Sequence, residues 1–472
     1  MSRSFRIEHD SLGEVQVPDE VLWGAQTQRS LHFFAIGPER FPVSFIHTFA
    51  LVKKAAALAN HELGLLPADK QRLVAAACDE IMQGRHDTQF PLSVWQTGSG
   101  TQTNMNLNEV IANRGNELAG FVRGAWQPLH PNDHVNLSQS SNDVFPTVMN
   151  VETARQMPGL LAALAELRQA LAARQEAFSD LLKSGRTHLM DATPMTLGQE
   201  FSAFVAQLDY AQQQLQAAMP AVHQLAIGGT AVGTGMNTHP RWAHTVCEHI
   251  SALAGLTFEP ADNRFMALAA HEALLDLHGR LAVLATSLFK IANDIRLMNS
   301  GPRCGLSELR VPANEPGSSI MPGKVNPTQT EAMTMVCTRV LGNQTTVLMA
   351  GSQGHFQLNV FKPVIIHCVL ESIRLLTDAM MAFSRYCVSG LQANTAQLHA
   401  NVSRSLMLVT ALSPVIGYEK AAQAARYADD LQLSLREAVI HLNLMSAEAF
   451  DVAVNPADMI APHEPKPSGS QA

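Results

Sequence analysis

The stretch Leu274-Leu-Asp-Leu-His-Gly-Arg-Leu-Ala-Val-Leu-Ala-Thr-Ser-Leu-Phe-Lys-Ile-Ala-Asn-Asp-Ile-Arg-Leu-Met298 decides the fold class. Apolar residues recur at Leu274, Leu277, Leu281, Leu284, Leu288, Ile291, Ile295 and Met298, in alternating steps of three and four. That spacing puts one face of an α-helix in apolar side chains and predicts a single helix about 36 Å long. Gly301-Pro302 stops it. Three more stripes repeat the pattern. The first runs Met157, Leu160, Leu164, Leu167, Leu171, Phe178, Leu181, with Arg174 interrupting it. The next runs Leu197, Phe201, Phe204, Leu208, Leu215, Val222, behind Thr196 and Gln199 at capping-box spacing. The last runs Val369, Ile373, Leu376, Met380, Phe383 and ends near Gly390. Stripes of this length predict an all-α protein with a central bundle of long helices.

Composition agrees. The chain has 472 residues, 46% apolar and 16% charged, which excludes a disordered polymer and suggests roughly three domains. Aromatics are 6%, so the core is aliphatic and rich in strong helix formers. The expected domains are residues 1–140, mainly helical with polar loops, 141–395, holding the long stripes, and 396–472, with shorter helices and a disordered Pro462–Ala472 tail. Arg6 to Val17 reads as a short hairpin. The net charge of −8 gives no basic footprint for nucleic acid or a membrane surface. No apolar run spans a bilayer, and the amino end lacks a secretory signal. Six cysteines without a Cys-x-x-Cys pair suit a reduced, cytoplasmic chain with neither disulfide framework nor local metal motif.

Four polar segments interrupt the helices, and loops on rigid helices are where sites lie. Thr97-Gly-Ser-Gly-Thr-Gln-Thr-Asn104 offers Ser99, Thr101 and Thr103 hydroxyls around the flexible Gly100, suited to a carboxylate; its plain alternative is a helix cap. The second segment joins His130-Pro-Asn-Asp133 to Ser138-Gln-Ser-Ser-Asn-Asp143, where a cap before Asp143 is again the alternative. Arg186-Thr-His-Leu-Met-Asp-Ala-Thr-Pro194 holds His188, an acid/base candidate among nineteen histidines, most of which are structural in any chain. Pro316-Gly-Ser-Ser-Ile-Met-Pro-Gly-Lys-Val-Asn-Pro327 carries Ser318, Ser319, Lys324 and Asn326 on sharp turns. Glu331 follows, at capping-box spacing from Thr328.

Together these segments resemble the fumarase/aspartase superfamily, most closely its class II fumarases. Gly317–Pro327 looks like the superfamily's signature loop, and Asp10-Ser-Leu-Gly-Glu-Val and Leu22-Trp-Gly-Ala-Gln-Thr-Gln-Arg29 look like the fumarase amino end. The likeness runs from about residue 6 to about residue 460. It implies a fumarase/aspartase-like fold and a homotetramer whose active sites draw on three subunits. It also implies metal- and cofactor-free hydration of fumarate to (S)-malate, as in the tricarboxylic acid cycle. By the same resemblance Ser318 is the base, His188 acts on the departing hydroxyl and Glu331 pairs with His188. Lys324 and Asn326 hold the carboxylate that takes up charge. Ser99, Gly100, Thr101, Ser140, Ser141, Asn142, Thr187 and Ser319 bind or orient substrate. His130, Asn132 and Asp133 match a second dicarboxylate site, although Trp126-Gln-Pro128 stands where family members often carry a basic residue. Gln357 replaces a frequent Glu. An aspartate ammonia-lyase is one alternative, disfavoured by Gly323 and Ser141, where aspartases have Ala and Thr. A non-catalytic structural protein on the same fold is the other, disfavoured because every acid/base residue is present.

Overall fold

The computed structural model describes residues 4–462. A hairpin opens it, β1 (Phe5–Asp10) antiparallel to β2 (Gly13–Pro18), with Arg6 opposite Val17. There follow α1 (Ala25–Phe33), α2 (Val43–Glu62), α3 (Ala68–Met82), α4 (Thr101–Leu118) and the 37-residue α5 (Ser141–Ala177). A second hairpin, β3 (Leu182–Thr187) with β4 (Met190–Thr196), leads into α6 (Leu197–Val222). Two shorter helices, α7 (Trp242–Ala254) and α8 (Arg264–Ala269), precede α9 (Glu272–Met298), α10 (Thr328–Gly351) and α11 (Lys362–Tyr386). Short helices complete the chain. Four two-stranded sheets are the only sheets among the described residues. The protein is therefore all-α in architecture, built on a bundle of five long helices.

The four apolar stripes are its core. All eight positions from Leu274 to Met298 are buried on α9, as are Leu197 to Val222 on α6. Two ends differ from expectation. Helix α5 stops at Ala177, so Phe178 is buried beyond the helix and Leu181 lies in the turn that enters the second hairpin. Helix α11 stops at Tyr386, and Gly390 instead closes a 3-10 turn, Val388–Gly390. The Thr196–Gln199 capping box forms as read: each backbone N–H donates to the other's side chain at 3.0 Å. The proposed disordered tail, beyond Pro462, lies outside the described residues.

The chain forms two compact units. The first comprises residues 4–161, 212–285 and 337–377; the second, 162–211, 286–336 and 378–462. In the first, His278 of α9 bonds to Gln344 of α10 at 2.6 Å and to Ser372 of α11 at 2.9 Å. In the second, Arg168 of α5 pairs with Asp209 of α6 at 2.9 Å, and Lys290 of α9 lies 4.9 Å from the Phe204 ring of α6. Near the carboxyl end the second unit holds an apolar cluster that includes Leu412, Ala424, Val439 and Phe450.

The amino-terminal motif has a structural reason. Glu109, buried on α4, accepts the N–H groups of Gly24, Gln26 and Thr27 and the Thr27 hydroxyl, at 2.6 to 3.2 Å. It thereby caps α1, whose first N–H groups have no intrahelical partner. A Cβ on Gly24 would lie 2.6 Å from Glu8 Oε2 and 3.0 Å from the Glu109 carboxyl, so a larger residue would have to displace both side chains. Arg29 grips Asp10 at 2.7 Å and holds the first hairpin turn. Burial pushes the Glu109 carboxyl up to about 7, against the donors that lower it. The folded group thus keeps its proton to about pH 7 while the unfolded one releases it near 4.5. Its contribution to stability is full below the lower value and declines as pH rises to the upper one. Glu109→Leu should cost about 3 kcal/mol by orphaning buried donors. Glu109→Gln should cost less and flatten the pH dependence of thermal unfolding in that window.

Candidate active site

In the first unit, two of the four polar segments meet. Ser99 Oγ lies 2.7 Å from Thr101 Oγ1, which lies 2.6 Å from Ser141 Oγ; Thr97 Oγ1 extends the chain to Ser99 at 3.3 Å. Four hydroxyls from segments forty residues apart thus form one hydrogen-bonded row. Two glycines make this approach possible. Gly100 adopts φ 77°, and a Cβ there would lie 2.2 Å from the Phe145 ring, one turn beyond Ser141 on α5. A Cβ on Gly98 would lie 1.4 Å from the Val360 carbonyl oxygen. Phe145 is itself wedged among Phe41, Phe45 and Phe49, with ring centroids 5.5 to 6.0 Å away.

The helix-cap readings are also realised here. Ser140 N–H donates to Asp143 Oδ1 at 2.9 Å, and Asn142 N–H to Ser140 Oγ at 3.2 Å. Asp143, fully buried, accepts the Gly228 and Thr230 N–H groups on its other oxygen; desolvation pushes its carboxyl up to about 6. Asn142 Nδ2 donates to the Ala231 carbonyl at 2.8 Å. The backbone from Gly228 to Ala231 therefore packs on the start of α5.

Of the second-site candidates, His130 and Asp133 are brought together: Asp133 N–H donates to His130 Nδ1 at 3.2 Å, and its carboxylate lies 3.3 Å from the same nitrogen. Asn132 is exposed. Lys70 Nζ sits 2.5 Å from His134 Nε2, one residue further on, so α3 supplies a cation beside this turn. The exposed Gln357 has no contact that explains its departure.

The second unit holds the remaining candidates. His188 and Leu189 are the two loop residues of the β3–β4 hairpin, with φ of 57° and 63°. A two-residue hairpin whose central residues both have positive φ is a type I′ turn, normally Asn-Gly. Holding histidine and leucine there stores strain, a feature that concentrates at functional sites. Neither residue is a turn former, so the local sequence carries no hairpin signal. Beneath the turn, Glu308 is fully buried between Lys183 at 3.2 Å and Arg186 at 2.9 Å, and Lys183 also pairs closely with Glu200. This ion cluster anchors β3; Glu308 and Lys183 escaped sequence reading because nothing local links them.

The Ser318 loop is closed on itself. Gly317 N–H donates to the Lys324 carbonyl at 2.9 Å, and Asn326 Nδ2 to the Gly317 carbonyl at 2.6 Å. A Cβ on Gly317 would meet that Lys324 oxygen at 2.3 Å. Ser318 Oγ accepts the N–H groups of Met321 at 3.0 Å and Ile320 at 3.3 Å. Ser318 and Lys324 line a cavity of about 400 Å³ with Pro316, Met321 and Val325. Ser319 and Lys324 are exposed, while Asn326 and Glu331 are half-buried. The Thr328–Glu331 capping box does not form: Pro327 takes the capping position, its carbonyl accepting the Thr330 and Glu331 N–H groups. Glu331 lies in the first turn of α10, and among the described residues neither its side chain nor His188 has a hydrogen bond or ion pair.

No group of three or more His, Cys, Asp or Glu side chains among the described residues is arranged to hold a metal ion. No described helix is long and apolar enough to cross a membrane.

A family model described as Lyase matches residues 13–342, and one described as Fumarase C C-terminus matches 408–461. The class II fumarate hydratase of Pseudomonas putida is 57% identical over 458 residues, covering 97% of this chain and 99% of that one. That of Pseudomonas syringae is 56% identical, over 96% and 98%. The crystal structure of recombinant class II fumarase from Schistosoma mansoni aligns with a TM-score of 0.95 and 44% identity, covering 98% of this chain and all of that one. Fold and matches define a lyase of the all-helical kind. Within that class, the chain belongs to the class II fumarate hydratase family.

The hairpin anchor is open to test. Glu308→Ala leaves Lys183 and Arg186 without their shared buried carboxylate, and breaking such a cluster costs about 3–5 kcal/mol. A correspondingly lower denaturation midpoint is expected, whereas a loss below about 1 kcal/mol would place the hairpin's support elsewhere.

Proposed function

We propose that this chain is a fumarate hydratase, adding water reversibly and in the anti sense across fumarate to give (S)-malate. The observation that carries the reading is Ser318, whose Oγ accepts two backbone N–H groups from its own closed loop. The hard step is removing a proton from carbon beside a carboxylate. A serine hydroxyl is far too weak a base unless its alkoxide is stabilised, and preorganised N–H donors supply that stabilisation. In the dehydration direction Ser318 takes the C–H proton, and the adjacent carboxylate accepts the electron pair as an aci-carboxylate. Lys324 and the second N–H of Asn326 stabilise the added charge. His188, through a water, protonates the departing hydroxyl; the electron pair then closes the double bond. Ser99, Thr101, Ser140, Ser141, Asn142, Thr187 and Ser319 orient the substrate, whose carboxylate suits the hydroxyl row.

We assign the working unit as a homotetramer. Leu189 and Met190, beside His188, are 74% and 70% exposed, and Ile320, beside Ser318, is 84% exposed. Apolar side chains at a site rim call for cover, and His188 and Glu331 each call for a partner. Both needs are met if each active site is completed by other subunits, with His188 paired to Glu331 across an interface. The second dicarboxylate site at His130, Asn132 and Asp133, a cytoplasmic location and a division of the chain near residues 140 and 395 belong to the same proposal. The carboxyl-terminal apolar cluster supports that last boundary.

An ultraviolet assay tests the reading. Purified protein given malate in EDTA should generate the absorbance of fumarate's conjugated double bond, and Ser318→Ala should abolish it while leaving the assembly intact. Absorbance from aspartate but not malate would assign an ammonia-lyase; loss on chelation would contradict a metal-free reaction.

A further inference from the structure

Behind the turn that presents Ser140 and Ser141 lies a lysine that no carboxylate touches, and desolvation pushes its ammonium down to about 7. Lys53, on α2, is 0% exposed, yet among the described residues it forms no ion pair. Its Nζ donates instead to neutral amide oxygens, Asn136 Oδ1 at 3.1 Å and Gln139 Oε1 at 3.0 Å, with the Phe49 ring 5.8 Å away. Lysine is almost never fully buried without a partner, and a methionine of similar volume would fill this space at no desolvation cost. Packing alone does not account for Lys53.

Its two acceptors join the halves of the hydroxyl row. Asn136 Oδ1 also accepts from Asn104 Nδ2 at 3.1 Å and Asn108 Nδ2 at 3.0 Å, one and two turns into the helix that begins at Thr101. Asn136 Nδ2 donates to the Gln139 carbonyl at 3.1 Å, and Gln139 Nε2 to the Val135 and Leu137 carbonyls, each at 3.1 Å. Ser140 and Ser141 follow Gln139 directly. Asn136 therefore ties α4 to the turn that presents Ser140 and Ser141, and Lys53 braces both Asn136 and Gln139 from behind. The ionisable groups whose fields reach it are Asp143 and Cys78. Asp143 is already occupied by three backbone N–H groups, and burial holds the Cys78 thiol protonated.

We infer that Lys53 is a positioning residue for substrate binding: through Asn136 and Gln139 it holds Thr101 and Ser141 in register. The inference rests on reading the hydroxyl row as a dicarboxylate site.

The test uses the full-length assembled protein, with succinate as a dicarboxylate that cannot react. In Lys53→Met, KM for fumarate and the inhibition constant of succinate should both rise about 10- to 100-fold, the penalty for misplacing binding groups by about an ångström. The change in kcat should be smaller, and thermal unfolding should stay within a few degrees of wild type. Lys53→Arg should recover part of the succinate affinity; Lys54→Met, on the neighbouring position and paired with Asp79, should change neither constant. KM and the inhibition constant do not depend on the fraction of protein that folds. Values within about twofold of wild type in Lys53→Met would overturn the inference. Failure of both Lys53 variants to assemble would make Lys53 a folding residue and overturn it equally. A wild-type chain that neither hydrates fumarate nor binds succinate would instead remove the reading beneath it.

Discussion

Burial of one continuous apolar face governs this molecule. Eight side chains of α9, from Leu274 to Met298, are withdrawn from water along a single helix. A face that long is covered by other long helices, and α6, α10 and α11 each meet α9. Helices of this length leave their ends, not their sides, free for chemistry. The polar segments accordingly fall where α4, α5 and α10 begin and where the β3–β4 hairpin turns. At helix starts unpaired N–H groups and the dipole favour anions, which suits a substrate carrying carboxylates.

Glycine then decides how closely the loops approach. Gly98, Gly100 and Gly317 each sit where a Cβ would overlap a neighbouring atom. In two cases the obstacle is a carbonyl oxygen and in the third an aromatic ring. Two are backbone contacts that no side-chain adjustment relieves, and the ring in the third is held by Phe41, Phe45 and Phe49. The hydroxyl row and the Ser318 loop exist because those contacts are permitted.

Buried charge plays a different role in each unit. Glu308 is shared by Lys183 and Arg186, so its charge is largely cancelled and its work is to hold a strained hairpin. Lys53 meets only amide oxygens, and desolvation pushes its ammonium down to about 7. The first fixes geometry through cancelled charge, the second through hydrogen bonds to neutral partners.

The stripes, the first hairpin and the Thr196–Gln199 capping box were legible in the sequence. Each depends on neighbours a few positions away, where spacing alone carries the information. The family, too, was legible, because its motifs are short runs of adjacent residues. Tertiary structure decided the rest. Only the fold brings Thr101 to Ser141, sets Glu109 on the start of α1 and places Glu308 under the β3–β4 turn. It also forces His188 and Leu189 into a left-handed turn that their side chains disfavour, and leaves Glu331 off the cap its spacing suggested. Those outcomes turn on contacts between residues far apart in the chain, whose cost or gain no local pattern encodes.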